Sequence, residues 1–258
     1  MSISTKYLLL FTIVFNLISC KPSTYFKSEI TSLQIDSTTA NNKQVDELIQ
    51  PYKIKLELEM NEVLVISAEE FPRESQKPET KLGNLVADLS LEVANEIYNP
   101  IDNESIDFCL LNFGGLRSSL SKGEITKGKI FELMPFENEL VVVTLNKKQL
   151  TRLIKYLHLN PQPISKGITL SSYEIFDGTS FQDGLSTKEN KYRLNKQFKI
   201  LTSDYLANGG DNMKFFLNPI KTEPIGIKLR DAIIEYCKNE HKKGKQLTGK
   251  IDGRITFE

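Results

Sequence analysis

The segment "LNFGGLRSSLSKGEITKGKIFELMPFENELVVVTL", Leu111–Leu145, carries the densest run of chain-breaking and chemistry-bearing residues in this sequence. An apolar run, Ile106–Leu111, predicts a strand that leads into Gly114-Gly115 and then Arg117. Consecutive glycines let backbone N–H groups approach a ligand with no Cβ in the way. An arginine beside them can fork onto a phosphate or carboxylate. The other reading is a tight turn after a strand with a surface arginine, and the local sequence leaves both open. The pattern is not a P-loop, since no Gly-Lys-Ser/Thr follows, and it is not G-x-G-x-x-G. Further on, Pro135-Phe136-Glu137-Asn138 puts a Phe at a loop tip, off any periodic core face. Such a ring is either a stacking platform with Asn138 beside it or a loop Phe tucked onto the core. The β-branched residues that follow predict a strand over Leu140–Leu145.

Outward from this segment, a second glycine pair stands in Asp204-Tyr205-Leu206-Ala207-Asn208-Gly209-Gly210-Asp211, after a predicted strand at Phe198–Thr202. Tyr205, Gly209, Gly210 and Asp211 offer an aromatic face, close backbone approach and a bidentate acceptor for vicinal hydroxyls. A plain turn with a capping Asp is the alternative. Leu82, Leu85, Val86, Leu89, Val93 and Ile97 recur at spacings of three and four, which predicts a helix capped by Thr80 and stopped before Pro100. Asn146 is placed to cap a second helix, Lys147–Leu157, and a last helix is expected over Gly226–Asn239. Strands are predicted at Val63–Ala68, within 165–190, and at the closing "GRITFE", the last as an edge strand. This irregular alternation favours an α+β or mixed layered domain over a regular parallel wind.

The first residues read differently. Lys6 precedes an apolar run, Tyr7–Ile18, shorter than the ~20 apolar residues of a spanning helix. With Leu17-Ile18-Ser19-Cys20 at its end, residues 1–19 read as a secretory signal. The box resembles that of bacterial lipoproteins, in which Cys20 would carry lipid; an ordinary signal peptide is the alternative. Residues 20–50 are polar and read as a flexible tether, and residues 51–258 as the folded domain. The expected location is the cell envelope, lipid-anchored, with the outer membrane preferred because Lys21 follows the Cys. Among 258 residues, 33 basic side chains balance 33 acidic ones, so no global field attracts nucleic acid. Only His158 and His241 are available as histidine ligands, and no Cys-x-x-Cys occurs, so no metal site is expected. Both histidines are expected on the surface. Cys109 and Cys237 are expected as free buried thiols rather than a disulfide.

From Ile54 to the C-terminus the chain resembles the C-terminal domain of bacterial and animal 5′-nucleotidases. Four stretches carry the resemblance: "ETKLGNLVADL", the opening segment, "YRLNKQFKILTSDYLANGGDNM" and "GRITF". It implies a layered α/β/β/α domain with mixed sheets that binds the nucleoside part of a nucleotide. In that resemblance Phe136 and Tyr205 sandwich the base, with Tyr where the family usually has Phe. Asp211 takes the ribose hydroxyls, Asn112 contacts the ligand, Arg117 binds ribose or phosphate, and Asn138 contacts the base. Gly114, Gly115, Gly209 and Gly210 are the backbone parts of the same binding loops. A further arginine of the family falls on Gln76 here, with Arg73 close but out of register. The resemblance also implies that catalysis needs Zn or Mn ions in a metallophosphatase domain. Only about 60 residues precede the recognisable domain, so no catalytic residue and no cofactor is expected in this chain. The expectation is the binding half of a split 5′-nucleotidase acting in nucleotide breakdown with a separate metallophosphatase subunit. A stand-alone lipoprotein that captures nucleosides is the alternative.

Overall fold

The computed structural model describes residues 31–257 except 37–38, 40, 75–76, 101, 167, 176–179, 188–189 and 192–196. The expected signal peptide, Cys20 and Gln76 lie outside the described residues. The chain divides into a leading unit that ends at Leu48 and a main unit, Ile49–Glu258. A first helix, α1 (Lys43–Met60), runs across the expected end of the tether and contains Pro51. None of its side chains is buried, which is why no apolar periodicity announced it.

In the main unit a short strand, β1 (Val63–Ser67), pairs antiparallel with β3 (Gly123–Thr126) as a two-stranded ribbon. Between them lies α2 (Lys81–Ile97), where Thr80 accepts from Gly83 N at 2.9 Å as the N-cap. The stripe at spacings of three and four is buried, from Leu82 to Val93; Ile97 alone remains exposed. Each such Leu or Val contributes about 1.5–3 kcal/mol by leaving water. α3 (Lys127–Leu133) follows β3 directly and is too short for periodicity to reveal.

The central sheet has the order β2-β8-β4-β9, where β2 is Phe108–Cys109, β4 Glu139–Leu145, β8 Phe198–Ser203 and β9 Lys221–Lys228. β2 runs parallel to β8; β4 runs antiparallel to both β8 and β9. Side chains alternate across it. Leu140 and Val142 join a core with α2, α3 and the last helix, α6 (Leu229–Lys242). Val141, Val143 and Leu145 join a second core under α4 (Lys147–Leu159). Both faces are covered, so Leu140–Val143 of β4 reads as a continuous apolar run rather than an alternating one. A second mixed sheet, β10-β5-β6-β7, is built from Ile255–Phe257, Ile168–Ile175, Ser180–Thr187 and Asn190–Lys191. The closing strand is an edge of this sheet, parallel to β5, as expected. The result is the layered mixed α/β domain expected from the sequence. The last helix starts later than predicted, because residues 221–228, with Pro224 and Gly226, form an edge strand first; proline is tolerated at an edge.

This topology brings particular loops together. β2 and β8 run the same way, so the segments after Cys109 and after Ser203 leave at one end of the sheet. β4 begins at that end, since Leu140 pairs with Ser203, and β9 finishes there, since Lys228 pairs with Glu139. The two glycine loops, the Pro135–Asn138 link and the start of α6 therefore meet.

Candidate functional site

The first glycine pair forms a 3₁₀ turn, Phe113–Gly115, after Asn112. Its glycines do not cradle an anion here. They make room for a side-chain bridge: Asn112 Nδ2 donates to Asp211 Oδ2 at 2.6 Å. A Cβ on Gly114 would lie 3.1 Å from that amide nitrogen and 3.2 Å from that carboxylate oxygen. One on Gly115 would lie 3.0 Å from Asn112 Oδ1. Asn112 is itself buried, so the bridge anchors an otherwise exposed Asp211 to the sheet.

The second loop is a turn of helix, α5 (Asp204–Ala207), capped by Ser203, then Gly209 at φ +85° and Asp211 at φ +50°. A left-handed non-glycine residue costs of order 1–3 kcal/mol and persists where its surroundings hold it. Three groups hold Asp211. Asn112 takes Oδ2, the Tyr205 hydroxyl donates to Oδ1 at 2.9 Å, and the Tyr156 hydroxyl donates to the backbone carbonyl at 2.8 Å. Tyr156, on α4, was not visible in the sequence as a site residue, since only the fold brings it near. Its phenol pKa is raised, first by burial and then by Asp211. The Tyr205 ring lies against Gly210, where a Cβ would stand 2.5 Å from Cε1, so only glycine admits the ring in this position. The ring is 47% exposed, which leaves it open to a ligand.

Phe136 faces the same end of the sheet and is 40% exposed. It is not tucked onto the core. The Arg117 guanidinium lies 5.9 Å from its ring centroid and Nη1 reaches the Gly114 carbonyl at 3.4 Å, so Arg117 and Phe136 are neighbours. Arg117 makes no ion pair with Asp211 among the described residues. Asn138 is half-buried, and its carbonyl accepts from Leu229 N at 2.9 Å. Arg73, the out-of-register arginine, also arrives: its Nε donates to the Leu116 carbonyl and its backbone N to Ser119 Oγ at 2.8 Å. Exposed and beside Arg117, it makes a second cation at this loop.

The arrangement is thus a fixed carboxylate with one lone pair still open on each oxygen, two half-exposed rings, and two arginines. That set suits a flat base, vicinal hydroxyls and an anionic group. A metal centre does not fit: among the described residues no group of three or more His, Cys, Asp or Glu could hold an ion. His241 is exposed and His158 half-buried, the latter less solvated than expected. Cys109 and Cys237 are free and buried, and burial raises both thiol pKa values, that of Cys237 to about 12.

The sequence profile described as 5′-nucleotidase, C-terminal domain, matches residues 61–218. The chain belongs to this family. As a 5′-nucleotidase C-terminal domain it is 26% identical over 248 residues to the trifunctional nucleotide phosphoesterase protein YfkN of Bacillus subtilis (strain 168). That match covers 89% of this chain and 16% of that protein. It is 23% identical over 196 residues to the 5′-nucleotidase of Homo sapiens, covering 69% of this chain and 33% of the human protein. The 5′-nucleotidase precursor from Thermus thermophilus superposes with a TM-score of 0.65 at 22% identity, over 83% of this chain and 43% of that one. The NAD nucleotidase of Haemophilus influenzae superposes at 0.59 and 18% identity, over 84% and 41%. These likenesses establish the fold. The chain spans less than half the length of each of these proteins.

Proposed function

We propose that this chain is the nucleoside-binding half of a split 5′-nucleotidase, working with a separate metallophosphatase chain in nucleotide breakdown. One observation carries the reading. Asn112 and Tyr205 hold the Asp211 carboxylate where three loops leave one end of the sheet, and the Phe136 and Tyr205 rings on those loops are half-exposed. Asp211 would accept the ribose hydroxyls as a charged acceptor, stronger than a neutral one. Phe136 and Tyr205 would stack the base, and Asn138 would contact its edge. Arg117, with Arg73 beside it, would hold the ribose or the phosphate. Since the described residues do not fit a metal, no hydrolytic step is assigned to them. Divalent ions, Zn or Mn, and the attacking water belong to the partner in this proposal. The expected anchor is lipid on Cys20, at the cell envelope.

Two measurements test the reading. Calorimetry of the purified chain with adenosine is expected to show binding that Phe136→Ala with Tyr205→Ala abolishes while the fold survives. Phosphate release from AMP with Mn²⁺ or Zn²⁺ is expected only when a metallophosphatase chain is added. Turnover by the chain alone would sink the split-enzyme reading. Binding of adenosine with no gain of turnover alongside any such partner would favour capture of nucleosides instead.

A further inference from the structure

Phe136 is an exposed ring on a loop, and a ring in that position stays in place only if its backbone is held. The loop's partners are three successive residues at the start of α6. Lys228 Nζ pairs with the Glu137 carboxylate. Leu229 N donates to the Asn138 carbonyl at 2.9 Å. Arg230 pairs with Glu137 through Nη2, while Nη1 points at the carbonyls of Phe136 (3.4 Å) and Met134 (3.5 Å). Its guanidinium also lies 4.2 Å from the centroid of the Phe131 ring. Met134, Phe136, Glu137 and Asn138 are therefore each tied to this one turn.

Local preferences argue against this placement. Cations at a helix N-terminus oppose the macrodipole, and α6 starts with Lys228 at the cap and Arg230 in the first turn, offset there by Asp231 alone and with no side-chain cap. Arg230 is moreover 5% exposed, and its Nε is buried with no hydrogen-bond partner. Burying an arginine is costly unless it is well paired. A sequence that breaks local rules at one spot does so where something else is gained.

The other wall is joined to the first through Asp204. Its Oδ1 accepts from Tyr205 N at 2.7 Å and from Glu139 N at 3.2 Å. One carboxylate oxygen thus links the residue that carries the second ring to the first residue of β4, just after the Phe136 loop.

We propose that Arg230 and Asp204 are positioning residues that fix the Phe136 loop and tie it to the residue carrying the Tyr205 ring, so that the two walls are set before a base arrives. This rests on the nucleoside-binding reading above, and it adds what holds the walls of the site. Presetting removes an ordering cost that binding would otherwise carry. Neither residue touches the ligand in this account.

The chain contains no Trp, so Phe136→Trp places a sole indole reporter on the wall. Steady-state anisotropy and acrylamide quenching then report loop mobility without any ligand, and adenosine quenching reports stacking. In that background Arg230→Ala, Asp204→Ala and the milder Glu137→Gln are expected to lower anisotropy and raise acrylamide access. Adenosine affinity should fall about tenfold with Arg230→Ala, the order of one lost stacking contact. Affinity for ribose 5-phosphate, which has no base, should not change; an equal loss for both ligands would indicate general damage and overturn the positioning role. Glu137 has a largely exposed side chain, so its variant tests the clamp even if Arg230→Ala fails to fold. Unchanged mobility in Glu137→Gln and Asp204→Ala would overturn the proposal whether or not adenosine binds. Absence of adenosine quenching in Phe136→Trp itself would instead overturn the nucleoside reading, with the mobility comparison still deciding the clamp.

Discussion

Asp211 shows how the fold fixes an exposed acid in one orientation. Its backbone sits at φ +50°, its two carboxylate oxygens are held by one side chain from each glycine loop, and α4 holds its carbonyl. Asp211→Asn keeps the shape but removes the charge, and one amide group would face the Asn112 or Tyr205 donor. A hydrogen bond to a charged group contributes about 1.5–3 kcal/mol, so adenosine affinity is expected to fall by one to two orders of magnitude in calorimetry. The affinity of 2′-deoxyadenosine, which has one hydroxyl fewer to donate, should fall less. Gly210→Ala acts on the neighbouring wall: its Cβ would displace the Tyr205 ring. About a tenfold loss of adenosine affinity is expected, the order of one stacking contact, with an unchanged unfolding midpoint. The two loops stand out in the sequence because glycine pairs, loop aromatics and an Asp lie close together along the chain, while the roles expected of these residues come from the family resemblance. What the glycines were for was not legible. The Asn112–Asp211 bridge spans residues far apart in sequence, and no local pattern encodes it.

Among the elements, those with a buried stripe and a capping residue were readable, and those without were not. α4 was found from Asn146, and the structure supplies a full capping box with Gln149. Gln149 does more than cap: its Nε2 donates toward the carbonyls of Phe215, Leu217 and Asn218, so it pins the segment that follows the Asp211 loop. Asn146→Ala is expected to cost about 1 kcal/mol. Gln149→Ala should cost more, about 1–3 kcal/mol, since it leaves the carbonyl of buried Phe215 unpaired; urea unfolding distinguishes them. α3 and β9 escaped, one too short for a period and the other interrupted by Pro224 and Gly226. The clamp between β9, α6 and the Phe136 loop adds a pH dependence at this scale. Lys228 and then Arg230 hold the Glu137 carboxyl down, from 4.5 to about 2. A depressed carboxyl contributes above its unfolded pKa and is lost as pH falls through the folded one. The Phe136→Trp anisotropy is therefore expected to hold steady from neutral pH to about pH 5 and to drop between 4.5 and 2.

At the scale of the whole molecule, the four stretches that carried the family resemblance divide into two groups with different work. The two that carry glycine pairs meet at the candidate site beyond one end of the central sheet. "ETKLGNLVADL" and "GRITF" instead meet each other. Asn84 donates to Glu79 Oε1 at 2.7 Å and to the Lys250 carbonyl at 2.8 Å, and Glu79 also accepts from Asp252 N and Gly253 N. Arg254 is buried beside them, forked onto Asp88 and onto Asp252, with Nη1 also donating to the Ile164 carbonyl at 3.0 Å. Arg254 in turn lowers the Asp252 pKa. The junction fastens the end of the chain to α2. Its charges are poor candidates for ligand contacts because they are already satisfied by one another. Breaking a buried pair by removing one partner costs about 3–5 kcal/mol, so Arg254→Met should lower the urea midpoint sharply. Adenosine affinity of the protein that remains folded should not move. Arg117→Ala should do the reverse, leaving the midpoint alone and weakening nucleotide binding, because Arg117 is exposed and its hydrogen bond to Gly114 is long. If Arg254→Met instead weakened binding without touching stability, the division of the motifs into ligand walls and fasteners would be wrong.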